Sequence, residues 1–260
     1  MIEIRPCKGF DELEACVQLQ IETWGYDDSD VIPRKTFLVA QSIGGQVIGA
    51  FDTEIADGSA ESMVGFVFSL PGMKSEMGQP AVYLHSHMLA VKDAYRNRGL
   101  GRELKLEQRR EALLRGIRRI EWTFDPLEIK NAFLNIRRLG AIVRSYRPDF
   151  YGVSSSRLQG GLPTDRLVAE WLLDSRRVQS VLAGQTGVGY EVKERIEVPA
   201  SIYEWKSTEA GRERALSIQS ENRTKFQEAF SRGLAVLGFT RDGAGNGVFE
   251  LGPAAQLELN

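Results

Sequence analysis

The stretch Arg96-Asn97-Arg98-Gly99-Leu100-Gly101 is the part of this 260-residue chain best suited to chemistry. It follows an apolar run that ends at Val91 and opens a helical pattern from Gly99 to Ile117. A glycine-bearing turn at a helix start points successive backbone N–H groups outward, with no Cβ atoms in the way. The helix dipole adds partial positive charge, so such a turn suits a phosphate or pyrophosphate. Arg96, Arg98 and Arg102 add formal charge. Residues 96–119 hold nine Arg or Lys against three Glu, a local +6 in a chain whose net charge is -2. The pattern Arg-x-x-Gly-x-Gly is weak alone, and its place between strand and helix gives it meaning. On the residues alone, a helix start with a solvated basic face stays open as the plainer reading.

A second candidate group lies just upstream. The chain's two histidines, His85 and His87, fall on one strand, and in a regular strand Tyr83, His85, His87, Leu89 and Val91 share a face. Imidazole titrates near neutrality, which suits proton transfer; two hydrogen-bonded structural histidines are the simpler use. Cys7 and Cys16 are too few for a disulfide framework or a zinc cluster, and no His stands near either in sequence. They read as small buried apolar residues. No metal-ligand spacing is present. Trp24 and Trp171 read as core, with Trp24 alternatively walling a substrate side. Asp27, Asp28 and Asp30 read as solvated loop residues, or as contacts for a cationic amine. Glu107 and Glu111 with Arg110 and Arg115 read as exposed helix charges.

These residues need a strand before the turn and a helix after it, and the pattern supplies both. Ile2, Ile4 and Cys7 form an opening strand. Phe10, Leu13, Val17, Ile21 and Trp24 recur at helical spacing, with Asp11 and Glu12 in the favourable first turn. Residues 25–35 are loop. Phe37–Ile43 and Gln46–Ile55 read as a hairpin through Gly44-Gly45. Met63–Leu70 is a third strand, residues 71–80 a loop, and Ala81–Val91 a fourth strand. The Gly99–Ile117 helix shows an apolar arc of Leu100, Leu104, Leu106, Leu113, Leu114 and Ile117, with Gly116 near its end. After strand Ile120–Phe124, Asp125-Pro126-Leu127-Glu128 reads as a helix start with cap and proline. Ile129, Phe133, Ile136 and Leu139 form the buried stripe of that helix, and Gly140 stops it. Ala141–Tyr146 and Leu167–Leu173 are further strands, flanking a long loop.

In the tail, Arg195–Val198 reads as a strand. A helical segment carrying Leu216, Phe226, Ala229 and Phe230 stops at Gly233, and Leu234–Thr240 with Gly247–Leu251 forms a hairpin. Strands interrupted by helices predict an α+β fold with a mixed sheet. The expected organisation is a main domain over residues 1–175 and an extension over 190–260 packed on it.

Composition excludes several classes. With 42% hydrophobic and 26% charged residues the chain has the balance of a water-soluble globular protein. No overall field recruits nucleic acid or anionic lipid. The longest clean apolar stretch, Met63–Phe68, is far shorter than the ~20 residues that span a bilayer. The start, Met1-Ile2-Glu3-Ile4-Arg5, lacks the apolar core of a signal peptide. A cytoplasmic protein is the expectation.

The run Leu89-Ala90-Val91 leading into Arg96-x-x-Gly99-x-Gly101, the hairpin-rich first half and the later strand–helix–strand carrying Asn131 to Gly140 resemble the GNAT superfamily of acyl-CoA-dependent N-acyltransferases. The resemblance covers about residues 2–175 and is strongest to a bacterial branch with an extra C-terminal region. It implies a central strand splayed from its neighbour, with the pantetheine arm of acetyl-CoA or another acyl-CoA bonded to Leu89, Ala90 and Val91. It also implies a pyrophosphate cradle over Asn97, Arg98, Gly99, Leu100, Gly101 and Arg102 with Arg96 beside it, and Asn131 as a further pantetheine contact. The spacing from Asn131 to Gly140 is two residues tighter than the common pattern.

Some relatives place a catalytic Glu six residues before the Val position. His85 stands there as the implied general base, with His87 second. A backbone N–H of the splayed strand is the implied oxyanion donor. Relatives often carry a Tyr four residues before the helix-ending Gly to protonate the leaving sulfur, and here that position is Ile136. Tyr146 or Tyr151 on the next strand substitutes, or no acid is needed, since a thiol ionises near ~8.5.

The expected function is therefore N-acyl, chiefly N-acetyl, transfer from acyl-CoA to a small-molecule or peptide amine, with no metal, nucleic acid or membrane involved. The resemblance is compatible with a homodimer. The alternative of another class is a CoA-binding sensor or scaffold without catalysis. A nucleic-acid binder using the basic helix is disfavoured by the overall acidity.

Overall fold

Alternate residues of one strand sort two cores. The computed structural model describes residues 1–55, 58–76, 78–156, 159–185 and 189–257. It divides into two compact units, Met1–Glu121 with Ser155–Arg157 and Trp122–Ser154 with Leu158–Asn260. In the first, β1 (Ile2–Pro6), α1 (Gly9–Trp24), α2 (Arg34–Ser42), β2 (Gln46–Asp52), β3 (Met63–Glu76), β4 (Gln79–Val91) and α3 (Leu100–Leu114) lead into β5 (Arg119–Phe124). The strands lie in that order, antiparallel from β1 to β4 and parallel between β4 and β5, so the sheet is mixed. Val47 and Phe51 of β2 pack with Leu13, Leu19 and Phe37 of α1 and α2. Ile48 and Ala50 pack with Leu100 and Leu104 of α3. The period of two thus assigns α1 and α2 to one face and α3 to the other.

Two expectations for this unit are corrected. Phe37–Ile43 is not a strand: it lies on α2 and the residue that follows. Phe37 and Ala40 are buried one helical turn apart, while Leu38 and Val39 face outward. Gly44-Gly45 is accordingly no hairpin turn. Gly44 takes φ +93 and Gly45 packs so closely that a Cβ there would sit 2.4 Å from the Ser69 carbonyl oxygen. Most of residues 71–80 is not a loop, since β3 runs on to Glu76 and β4 begins at Gln79. Gly72 sits in that ladder opposite Tyr83, whose ring occupies the space a Cβ would need.

The second unit carries the rest of β5, then α4 (Ile129–Ala132) running into a π-helical turn over Phe133–Arg138, β6 (Ile142–Arg147), β7 (Arg166–Leu172) and α5 (Arg176–Leu182). β8 (Glu194–Val198), α6 (Ile202–Ser207), α7 (Glu209–Ser231), β9 (Leu234–Arg241) and β10 (Gly247–Pro253) complete it. β9 pairs with β6 at Val143↔Val236, and β10 with β9 and β8, so the tail hairpin continues the sheet of β6 and β7. The sequence pattern gives no sign of α5.

The helix start expected at Asp125-Pro126 falls instead at Ile129. Asp125 Oδ1 accepts from the Leu127 N–H in a local turn. The other carboxylate oxygen, with Glu128, takes the buried Lys206 ammonium at 2.9 and 3.0 Å.

Candidate functional site

β4 carries the first part of the site because it is irregular. Its ladder with β3 pairs Phe68 with Met88 and Ser69 with Ser86, leaving His87 as an extra residue in a β-bulge. The bulge breaks the regular alternation. His87 packs on the edge of Phe68, Met88 joins the core beside α1 and α2, and Leu89 and Val91 pack on the α3 side. The His85 and His87 rings lie 6.0 Å apart, centre to centre, so the expected common face holds for these two and not for Leu89 and Val91.

Burial above all, then the positive charges of His87, Lys105 and Lys74, pushes the His85 imidazole down to about 4. Burial alone lowers that of His87. Both rings are therefore neutral at pH 7.

On its other edge β4 pairs with β5 at Leu84↔Ile120 and His85↔Glu121, and then runs six residues further to Val91. Glu121 is buried and ion-paired with Lys74 and with Arg119 Nε, the latter at 2.6 Å. The sequence reading misses this trio. Its one signal is the alternation Arg119-Ile120-Glu121, which puts both charges on one strand face.

Past Val91 the chain turns to α3. Arg96 Nε donates to the Val91 carbonyl at 3.0 Å and its Nη1 pairs with Asp93 at 2.6 Å, so this arginine is spent on the turn. Asn97 is left-handed at φ 60, and Gly99, at φ 87, sits in the N-cap position with no side-chain cap. The N–H groups of Arg102 and Glu103 reach back to the Gly99 carbonyl. Helix geometry leaves those of Leu100 and Gly101 without intrahelical acceptors.

The turn is open: Asn97, Arg98 and Gly99 are exposed, and a Cβ at Gly99 would meet nothing within 4 Å. Behind it, Leu89 Cδ2 lies 3.5 Å from where a Gly101 Cβ would stand, so strand and turn touch. Arg98 stacks over Tyr95, whose hydroxyl donates to Asp52 at 2.7 Å. The N–H groups without intrahelical acceptors, the dipole and Arg98 together fit a diphosphate.

The remaining candidates lie in the second unit. Asn131 is exposed on α4. Tyr146 is buried on β6; its hydroxyl donates to Asp165, a carboxylate also held by both arms of Arg223, and burial pushes its pKa up. Tyr151 lies not on a strand but in the turn after β6. It is 43% exposed, and its hydroxyl shares a 2.8 Å hydrogen bond with that of Thr123. Ile136 is buried in the π-helical turn. Cys7 and Cys16 are buried with Sγ atoms 4.0 Å apart. Among the described residues no cluster of His, Cys, Asp or Glu could hold a metal, and no helix is long and apolar enough to cross a membrane.

The arc expected for α3 is also redrawn. Its buried residues are Leu100, Leu104, Lys105, Gln108 and Ala112, whereas Leu114 is 73% exposed. Stepping by 100° from Leu100 finds Gln108 and Ala112 beneath it, but nothing in composition says that polar residues fill those places.

No protein-family model matches the chain, and no curated protein does. Solved structures do. NAA60 of Arabidopsis thaliana in complex with acetyl-CoA matches with a TM-score of 0.52 at 17% identity, over 66% of this chain and 99% of that one. The same protein with a bisubstrate analogue matches at 0.52 and 17%, over 66% and 97%. A GNAT-family protein from Desulfovibrio desulfuricans matches at 0.50 and 14%, over 66% and 99%. At such identities the likeness is one of architecture: about two-thirds of the chain carries the GNAT fold.

Proposed function

We propose that the protein transfers an acyl group, chiefly acetyl, from acyl-CoA to an amine. The observation that carries this reading is the open, uncapped glycine turn at the start of α3, placed after a strand whose pairing with β5 stops at His85. In this reading the diphosphate of CoA rests on the N–H groups of residues 97–102. The pantetheine amides bond the β4 edge at Leu89, Ala90 and Val91. The structures it resembles include one solved with acetyl-CoA and one with a bisubstrate analogue, which supports the same ligand here.

The chemistry follows from that placement. The amine nitrogen attacks the thioester carbonyl carbon, forming the C–N bond and an oxyanion that a β4 backbone N–H stabilises. Collapse breaks the C–S bond, and the electron pair leaves on sulfur. The proton lost from nitrogen passes to neutral His85. Because that ring binds protons weakly, it takes the proton after attack has acidified the nitrogen, not before. Tyr146 is committed to Asp165 and offers no proton to sulfur. A thiol ionising near ~8.5 needs little help.

Calorimetry with acetyl-CoA tests the binding half, with binding expected in the wild type and lost in Gly99→Pro. Thiol release over a panel of amines tests transfer, and His85→Ala is expected to lower kcat without weakening CoA binding. No binding of any CoA ester overturns the proposal. Binding without turnover on any amine leaves a CoA-binding module in its place.

A further inference from the structure

A buried polar cluster lies where the β4 ladder slips, and the acyl-transfer scheme does not use it. Ser69 and Ser86 face each other across β3 and β4 directly beside the register shift. Ser69 Oγ donates to Gln46 Oε1 at 3.0 Å and Ser86 Oγ to Gln108 Oε1 at 3.0 Å. Gln46 Nε2 donates to the Gln108 carbonyl at 3.0 Å, closing the link between β2 and α3. Lys105 Nζ donates to Ser86 Oγ at 2.6 Å and to Gln108 Oε1 at 3.2 Å. None of these five side chains is more than 4% exposed.

A lysine in such a place is costly. Burying an amine without compensation is among the most unfavourable substitutions a core can carry, and an apolar side chain of similar length would fill the space more cheaply. What the amine gains is position: it and Gln108 hold the hydroxyl of Ser86, the residue just before the extra residue of the bulge. A bulge re-aims side chains and ends regular pairing. Here it aims His87 toward the side where His85 lies, and it sets the register of Leu89–Val91.

We infer that Lys105 is a positioning residue, which through Ser86 pins the β4 bulge and so fixes the directions of His85, His87 and the strand edge beyond them. Its kinetic consequence rests on the acyl-transfer reading; its geometric consequence does not.

The chain's two histidines make the test direct, because a spectrum of 15N-labelled imidazoles contains only their signals. Lys105→Met and Ser86→Ala are expected to shift both sets of imidazole signals. Ser86→Thr, which keeps the hydroxyl, is expected to restore them, and Arg110→Gln on the exposed face of α3 to leave them in place. Because misplacement by about 1 Å costs up to ~100-fold in rate, kcat should fall at least ~10-fold in Lys105→Met and Ser86→Ala. CoA binding should weaken by less than kcat falls, since only the Leu89–Val91 edge shifts and the phosphate turn at residues 97–102 is untouched.

Imidazole signals of folded Lys105→Met and Ser86→Ala that overlay those of the wild type overturn the inference. Should Lys105→Met fail to fold, Ser86→Ala, which loses a single oxygen, decides. Should the wild type transfer no acyl group, the spectra decide without it.

Discussion

Two strand-to-helix crossovers in this chain begin with opposite chemistry. After β4 the chain reaches α3 through Asn97 and Gly99 in left-handed conformations, with no side-chain cap and no atom within 4 Å of the missing Gly99 Cβ. After β5 it reaches α4 through Asp125 and Glu128, two carboxylates that share the buried ammonium of Lys206. A helix start attracts negative charge in either case. Neither start has a side-chain cap, but the second carries two carboxylates already neutralised by a buried lysine, whereas the first presents an exposed glycine turn with Arg98 beside it.

The largest effect that tests this contrast is expected at Lys206. Lys206→Met leaves two carboxylates facing each other beside an apolar side chain. Breaking a buried pair from one side costs about 3–5 kcal/mol, read as a fall in the urea midpoint. Adding Asp125→Asn and Glu128→Gln to that variant should recover much of the loss. No change in the midpoint would mean that the second crossover is not held by its charges. A smaller effect, in binding as well as in stability, is expected at Gly99. A β-branched side chain at φ 87 costs about 1–3 kcal/mol of backbone strain, so Gly99→Val should weaken acetyl-CoA by about 10- to 100-fold. Calorimetry that finds wild-type affinity in Gly99→Val would erase the distinction between the two starts.

The contrast also separates what sequence can and cannot reveal. The α3 turn was legible because its signals are local: glycine where φ is positive, arginines alongside, a strand before and a helix after. The tail hairpin was legible for the same reason, with Asp242-Gly243-Ala244-Gly245-Asn246 between two apolar runs. The start of α4 was misplaced because the partner that diverts Asp125 from capping is Lys206, 81 residues later. Phe37–Ile43 is a short apolar run that fits either period, and only its packing against α1 selects the helix. Pro71-Gly72 argued for a loop until Tyr83 from the next strand covered the glycine. Lys105 and Gln108 were hidden by their polarity, since the groups that make their burial tolerable, Ser86 and Gln46, lie on strands far back in the chain.

The smallest expected effect is a missing one, and it sharpens the contrast from the side of the strand. An ordinary exposed histidine base gives a rate that rises with pH about a midpoint near ~6.5. His85 is pushed down to about 4, mainly by burial, so it is already neutral at pH 5.5 and its loading with a proton contributes no step between pH 5.5 and 8. The missing step has a counterpart in stability. As pH falls through 6.5 the unfolded chain takes up a proton at this residue while the folded chain refuses it until about 4. Stability is therefore lost over that interval and levels off below it. His87, whose imidazole is also lowered, adds a loss of the same sign. His85→Asn should flatten part of the acid limb of a urea-midpoint profile against pH and leave the limb above pH 7 unchanged. A rate step near pH 6.5 that vanishes in His85→Asn would instead show that water reaches this ring in the working protein. The turn would then be open on both its phosphate and its strand side.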